Sequence, residues 1–345
     1  MLFLVSDNKK VKTVAKNLIP SIDTLKEFLR FVPVNAVQNW LKIHGKPYTT
    51  QSQGQFYKKL NKWIAQERIS SDDIDNAVYD IEENGGKKVF LRVLSGNFPK
   101  SKSQFDAFLN SQNIPNIARV RRSVRTSKNP ILNHILWIDG ENSIIIKFSE
   151  IQEDVNFNNE TFEVETLEKP IFVVINIDTK TGFTEFRFDN PAKRHVHKDV
   201  DGNSNSKVYE NYYFNKIQSL FSGVTIEYYG LNEISEKIVT EGFSYFRISR
   251  EQTTTTGNGK QTYSVGSGDV RELPARIGAA REDGENWIFD DLTGYWVAQA
   301  SNGELSYDLF MRLSKDESSL RFQRDCLGVE LRYAIRKIRN IKEGL

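Results

Sequence analysis

A chain of 345 residues with 39% hydrophobic and 12% aromatic content is long enough for two domains, or three, and too apolar to be disordered overall. Its longest apolar runs, Ile144 to Ile146 and Ile171 to Ile175, fall far short of the ~20 residues that cross a bilayer, and the opening MLFLVSDNKK has too short an apolar run for a signal peptide or an anchor. A lone cysteine, Cys326, excludes an intramolecular disulfide and a cysteine-rich zinc site, and the expectation is a soluble protein with no membrane partner in the cytoplasm or, if eukaryotic, the nucleus.

The first third reads as helical. SIDTLKEFLRFVP offers Ser21 or Asp23 as an N-cap, apolar Leu25, Phe28, Leu29 and Val32 at helical spacing, and Pro33 as a stop. VNAVQNWLKIHG places Val34, Val37, Trp40 and Leu41 on one face and ends at Gly45. SQGQFYKKLNKWIAQERIS has Phe56, Leu60, Trp63 and Ile64 as its stripe, with Lys58, Lys59 and Lys62 largely off it. SSDDIDNAVYDIEENGG begins with residues that suit a positively polarised helix N-terminus and repeats the pattern at Ile74, Ala77, Val78 and Ile81. KKVFLRVL either extends this bundle or begins a new element. After the turn-rich SGNFPKSKS, QFDAFLNSQN is a further helix. ARVRRSVRTSKNP follows, an amphipathic surface helix by its spacing, with strand as the alternative.

From Asn133 the period changes. ILWIDGENSIIIKF is a hairpin about Asp139-Gly140, and KPIFVVINIDTKTGFTEFRFDN is a second about Asp178 to Gly182. A helix (YENYYFNKIQSLFS), a strand (GVTIEYYG), a helix (NEISEKIVTEG) and a strand (FSYFRISRE) complete an α+β plan with a mixed or antiparallel sheet. QTTTTGNGKQ is a loop or hairpin tip. ENWIFDDLTGYWVAQA sets four aromatic residues about a Thr293-Gly294 turn, and the chain ends in a basic helix with Ile335 and Ile338 facing inward. These elements predict a helical bundle over 1-96, a basic connecting segment with helices over 97-130, and an α+β domain over 131-345, divisible near 252-262.

The net charge of +2 hides segregation. Glu67 to Gly86 holds seven acidic residues against Arg68, Lys87 to Lys128 ten basic residues against Asp106, and Asp139 to Glu168 nine acidic residues against Lys147. A basic block is the electrostatic footprint of a phosphate-rich partner, because clustered cations attract phosphate without precise spacing and arginine grips it with a planar fork. The candidate nucleic-acid-binding residues are Lys87, Lys88, Arg119, Arg121, Arg122, Arg125 and Lys128, with Lys100 and Lys102 nearby. Arg332, Arg336, Lys337, Arg339 and Lys342 form a second cluster, which also fits ordinary helix C-terminal chemistry. The bland alternative is that these blocks are solvated faces, or that acidic and basic blocks pair across a domain interface.

Metal-ligand residue types crowd at RHVHKDVDGNSN, where His195 and His197 flank Val196 and Asp199 adds an oxygen. The same stretch falls short of a calcium loop: Asp199, Asp201, Asn203, Asn205 and Glu210 have ligand spacing, but Ser204 stands where a sharp turn needs glycine. An exposed charged loop explains it more simply. Asp139, Glu141, Asp178 and Glu185 at strand ends suit magnesium or manganese in a nuclease, and Glu141 with Lys147 distantly resembles the acidic and lysine pair of restriction-type nucleases. Turn chemistry explains Asp139 and Asp178 as well. Cys326 has no neighbouring histidine, and the glycines of TTGNGKQ and SVGSGDV lack the context of a phosphate-binding loop.

The run from Phe28 to Leu94 resembles the helical N-terminal module of centromere protein N and its fungal relatives in the order of its parts: a Leu-Arg-x-Val-Pro opening, a Trp-Leu helix, an aromatic and lysine helix, then an acidic helix running into a basic tail. The resemblance implies a non-enzymatic DNA or nucleosome binder with a helical module followed by an α+β module, and it carries over no individual residue. LKIHGKPYTTQSQGQFYKKL is also similar to SAP-type DNA-binding helices. The expectation is therefore a DNA-binding protein without cofactor that holds the phosphate backbone. A metal-dependent nuclease or phosphodiesterase of a genome-defence system, using Mg or Mn, is the alternative. A protein-interaction adaptor meeting other subunits through its acidic blocks is the second.

Overall fold

The computed structural model describes residues 21–29, 31–50, 52–114, 129–157, 164–189, 205–254, 260–266, 268–277, 288–323 and 325–344. Helix α1 (Ile22–Phe28) starts where the Thr24 N–H donates to Ser21 Oγ at 3.1 Å. Pro33, expected as a stop, is instead the N-cap of α2 (Val34–Ile43), its φ of −62° already suited to lead into a helix. Ser52 caps α3 (Gln53–Ala65), and Ser70 with Asp73 forms a reciprocal capping box on α4 (Ser71–Asn84). The apolar stripes of the four helices meet in one core, in which Val37, Leu41, Phe56, Leu60 and Ala77 are fully buried. Burying each large side chain contributes roughly 1.5–3 kcal/mol, which is what holds helices this short.

KKVFLRVL is neither an extension of the bundle nor peripheral. It is β1 (Lys88–Gly96), on which the whole sheet turns. After α5 (Lys102–Ser111) come β2 (Ile131–Ile138), β3 (Ser143–Phe157), β4 (Val164–Asp178) and β5 (Phe183–Phe188). They are followed by α6 (Asn205–Leu220), β6 (Val224–Tyr228), α7 (Asn232–Glu241), β7 (Phe246–Thr254), β8 (Lys260–Ser264), β9 (Ile288–Trp296), β10 (Leu309–Ser314), β11 (Ser319–Phe322) and α8 (Gly328–Glu343). Among the described residues the eleven strands form one antiparallel sheet in the order β2-β3-β4-β5-β1-β11-β10-β9-β7-β8, with β6 also paired to β1. The fold is thus α+β. A boundary at residue 96 would cut β1 away from a sheet it centres, since β5 pairs along Lys88 to Val93 on one edge.

The other edge of β1 forks. β11 takes Lys88 to Phe90 and β6 takes Arg92 to Gly96. Successive β1 side chains enter opposite cores, as a period of two requires: Val89 and Leu91 join α7 and α8, whereas Phe90 and Leu94 join α5 and α6. Arg92 plugs the fork. It is 1% exposed, donates to the carbonyls of Leu91 (2.8 Å), Ser318 (3.3 Å) and Glu317 (3.2 Å), and pairs with Glu210 of α6. Its guanidinium lies 4.1 Å from the Tyr228 ring centroid.

Glycine is required at two places. The hairpin turn between β4 and β5 presses Gly182 (φ +74°) onto β1, where a Cβ would come within 2.1 Å of the Leu94 carbonyl oxygen. Thr293-Gly294, expected as a turn, lies inside β9. Gly294 is kept small by β7, since a Cβ there would meet the Arg247 carbonyl oxygen at 2.2 Å beside a bulge between Ile248 and Arg250. At the chain's far end, the Gly328 N–H opening α8 donates to both Asp80 oxygens at 3.1 and 3.2 Å, and Leu327 enters the helical core. The four N-terminal helices are thereby tied to the sheet.

Candidate nucleic-acid interface

The α2–loop–α3 unit presents cations to solvent because the apolar stripes of its two helices are claimed by the core. Trp40 and Leu41 face inward at the end of α2, which leaves Lys42 exposed. His44 stacks on Trp40 with centroids 3.7 Å apart and sits 2.8 Å from its carbonyl through Nδ1. The loop is then pinned from both helices: Gln38 Nε2 donates to the Tyr48 carbonyl and to Thr50 Oγ1, each at 3.0 Å, and Lys59 Nζ donates to the Thr49 carbonyl at 3.1 Å. On α3, Phe56, Leu60 and Trp63 are buried, so Lys58 and Lys62, one turn apart, stand together on the exposed side.

Lys46 is spent on Asp73 at 2.9 Å. Burial pushes the Asp73 carboxyl up, but the Ser70 N–H and the Lys46 ammonium outweigh it and hold the group below its ordinary value. No ion pair among the described residues reaches Lys42, Lys58, Lys62 or Arg68, all of them exposed. From Leu41 to Ser70 the sequence holds six lysines and arginines against Glu67 alone. That imbalance is legible in the sequence, though less dense than the arginine block downstream.

The residues singled out from sequence divide three ways. Arg119, Arg121, Arg122, Arg125 and Lys128 lie outside the described residues, as do His195, His197 and Asp199. Lys87 does not lie on an open face: it is fully buried, with Nζ 2.7 Å from Asp189, and burial draws its ammonium below the ordinary lysine range against the pull of that carboxylate. Lys88 is half-buried and paired at 2.6 Å with Glu317. Nearby, Lys100 is exposed over the Phe98 ring and Lys102 is paired with Asp106. Three residues of the second cluster are engaged. Arg336 pairs with Glu304, Arg339 with Asp178 at 3.1 Å, and Lys342 donates to the carbonyls of Tyr229 and Gly230.

The strand-end carboxylates have structural employment. Asp178 accepts from the Lys180 and Thr181 N–H groups, as a turn aspartate does, and Glu185 is held by Arg187 at 2.6 Å. Asp139 and Glu141 are exposed in the β2–β3 turn. Lys147 does not form a nuclease pair with Glu141: it is 1% exposed under α4, 3.3 Å from Glu82 and 3.8 Å from Glu83. Glu210, the last residue of the calcium-like spacing, lies in α6 on Arg92. Among the described residues no three histidine, cysteine, aspartate or glutamate side chains are grouped to hold a metal ion. Cys326 is buried and its thiol is pushed well up, chiefly by that burial, which makes it a poor nucleophile. No described helix is long and apolar enough to cross a membrane. No family model matches the chain, and no curated protein matches it.

Proposed function

We propose that the protein is a non-enzymatic DNA-binding protein that holds the phosphate backbone with its basic surfaces. The observation that carries this reading is the set of exposed cations on the α2–loop–α3 unit, Lys42, Lys58, Lys62 and Arg68, which no carboxylate of the described residues neutralises. An unpaired surface lysine gains by displacing counterions from a phosphate, whereas a paired one must first give up its partner. The helical N-terminal module presents these cations, and the sequence of Arg119 to Lys128 supplies five more between α5 and β2. The likeness to the centromere protein N module points to the same class of ligand. Backbone contacts of this kind position a protein on DNA without reading its bases.

The test titrates fluorescently labelled duplexes of two unrelated sequences with the full chain, with Lys58→Glu/Lys62→Glu, and with Arg121→Glu/Arg122→Glu/Arg125→Glu, each with and without magnesium or manganese. The expected result is that each charge reversal weakens both duplexes equally, by about tenfold or more, and that the DNA stays intact. Unchanged affinity in both variants overturns the reading. Cleavage that depends on the metal replaces it with a nuclease.

A further inference from the structure

The β3–β4 hairpin is longer than anything beside it. Its two strands pair from Ser143↔Asp178 to Phe157↔Val164, whereas β2 follows β3 only as far as Ser149 and β5 follows β4 only from Val173. The outer seven pairs, Ile151↔Pro170 to Phe157↔Val164, form a two-stranded ribbon with no third strand on either edge among the described residues. At ~3.4 Å per residue this arm extends about 20 Å past its neighbours. A free edge of that length offers a row of backbone donors and acceptors to another chain.

Its charge selects the chain. From Glu150 to Glu168 the sequence holds seven carboxylates and no lysine or arginine. At the base, Glu150 accepts from Gln152 and Tyr209. Further out, the register sets Glu153 directly opposite Glu168. Like charges at opposed positions of an antiparallel pair disfavour it, and a cation laid across such a pair offsets that cost. The same charge repels a phosphate backbone, so the arm is unsuited to the ligand proposed for the α2–loop–α3 unit.

We propose that the outer β3–β4 arm is a docking site for a cationic polypeptide segment of a partner protein, which adds a strand to the open edge and sets lysine or arginine on the face that carries Glu153 and Glu168. The experiment uses the full-length protein and a fluorescein-labelled decapeptide of alternating lysine and valine, with an alternating glutamate and valine peptide as control. The expected result is saturable binding of the lysine peptide alone, weakened about tenfold or more between about 0.05 and 0.3 M salt. Amide exchange should slow along Ile151 to Phe157 or Val164 to Pro170 when the peptide is added. Glu153→Lys/Glu168→Lys should abolish binding, and Glu153→Gln/Glu168→Gln should weaken it. Glu233→Lys/Glu236→Lys on α7, where both residues are exposed, should leave it unchanged. Equal binding by the arm and α7 variants, or slowed exchange elsewhere, overturns the proposal. Binding that arises only after Arg121, Arg122 and Arg125 are changed to serine also overturns it, because the occupant is then the chain's own basic segment. Duplex affinity in the arm variants should hold or rise, so failure here is separable from failure of the DNA-binding reading.

Discussion

Arg92 is a single side chain buried where the two halves of the sheet join. It closes the gap where β11 and β6 share one edge of β1, and burial pulls its guanidinium down to about 10 even with the Tyr228 ring and Glu317 nearby. Removing a buried cation leaves Glu210 uncompensated. Arg92→Ala should therefore lose roughly 3–5 kcal/mol in denaturant unfolding, and Arg92→Met/Glu210→Leu should recover part of the loss because no charge is stranded. Glu330 makes the opposite kind of statement. It is 1% exposed and accepts from the Leu327 N–H at 2.8 Å, yet burial, with Asp325 and Asp80 adding to it, pushes its carboxyl up to about 7. A group whose folded value lies above its unfolded one favours the fold below the unfolded value, and stability falls as pH rises through the folded one. Glu330→Gln keeps an oxygen for Leu327 and cannot ionise. It should be roughly 1–3 kcal/mol more stable than the parent at pH 8, match it near pH 4.5, and flatten the loss between them in thermal melts. At this scale sequence reading is least informative: LRV and GVELR give no hint that Arg92 and Glu330 are buried, because burial is set by strands and helices hundreds of residues away.

At the scale of elements, local chemistry was far more legible. Ser21, Ser52 and Ser70 cap the helices they precede, and the stripes through Val37, Leu60 and Ala77 are the ones that enter the core. Both hairpins fold about Asp139-Gly140 and Asp178 to Gly182. What failed were elements whose role depends on a distant partner. KKVFLRVL reads as a helix or a strand because it is apolar on both sides, and it is apolar on both sides because two cores flank it. Gly294 looks like a turn from its neighbours and is in truth a space left for the Phe246 ring and the Arg247 carbonyl. The candidate interface follows the same division. Lys58 and Lys62 fall off the apolar stripe of α3 by spacing alone, whereas nothing in the letters separates a free lysine from Lys87, whose partner Asp189 lies 102 residues on.

For the molecule as a whole, an antiparallel α+β sheet sits between two cores, and the four N-terminal helices are fastened to it by Asp80 on Gly328 and by Lys147 beneath α4. The acidic and basic blocks of the sequence are partly consumed in that fastening: Glu82 and Glu83 answer Lys147, and Asp189 answers Lys87. Lys42, Lys58, Lys62 and Arg68 group on α2, α3 and just after α3, and the acidic run from Glu150 to Glu168 lies on the β3–β4 arm. Two regions of opposite charge underlie the two ligands proposed, a phosphate backbone and a cationic polypeptide. The most direct test of the first is the salt dependence of duplex affinity, since releasing counterions from Z phosphates gives a slope of about −0.9Z in log K against log salt. The account predicts a steep slope, near −4 if about four phosphates are neutralised on the α2–loop–α3 unit, reduced by about 2 in Lys58→Gln/Lys62→Gln. A slope near zero, or the same slope in the variant as in the parent, would contradict it.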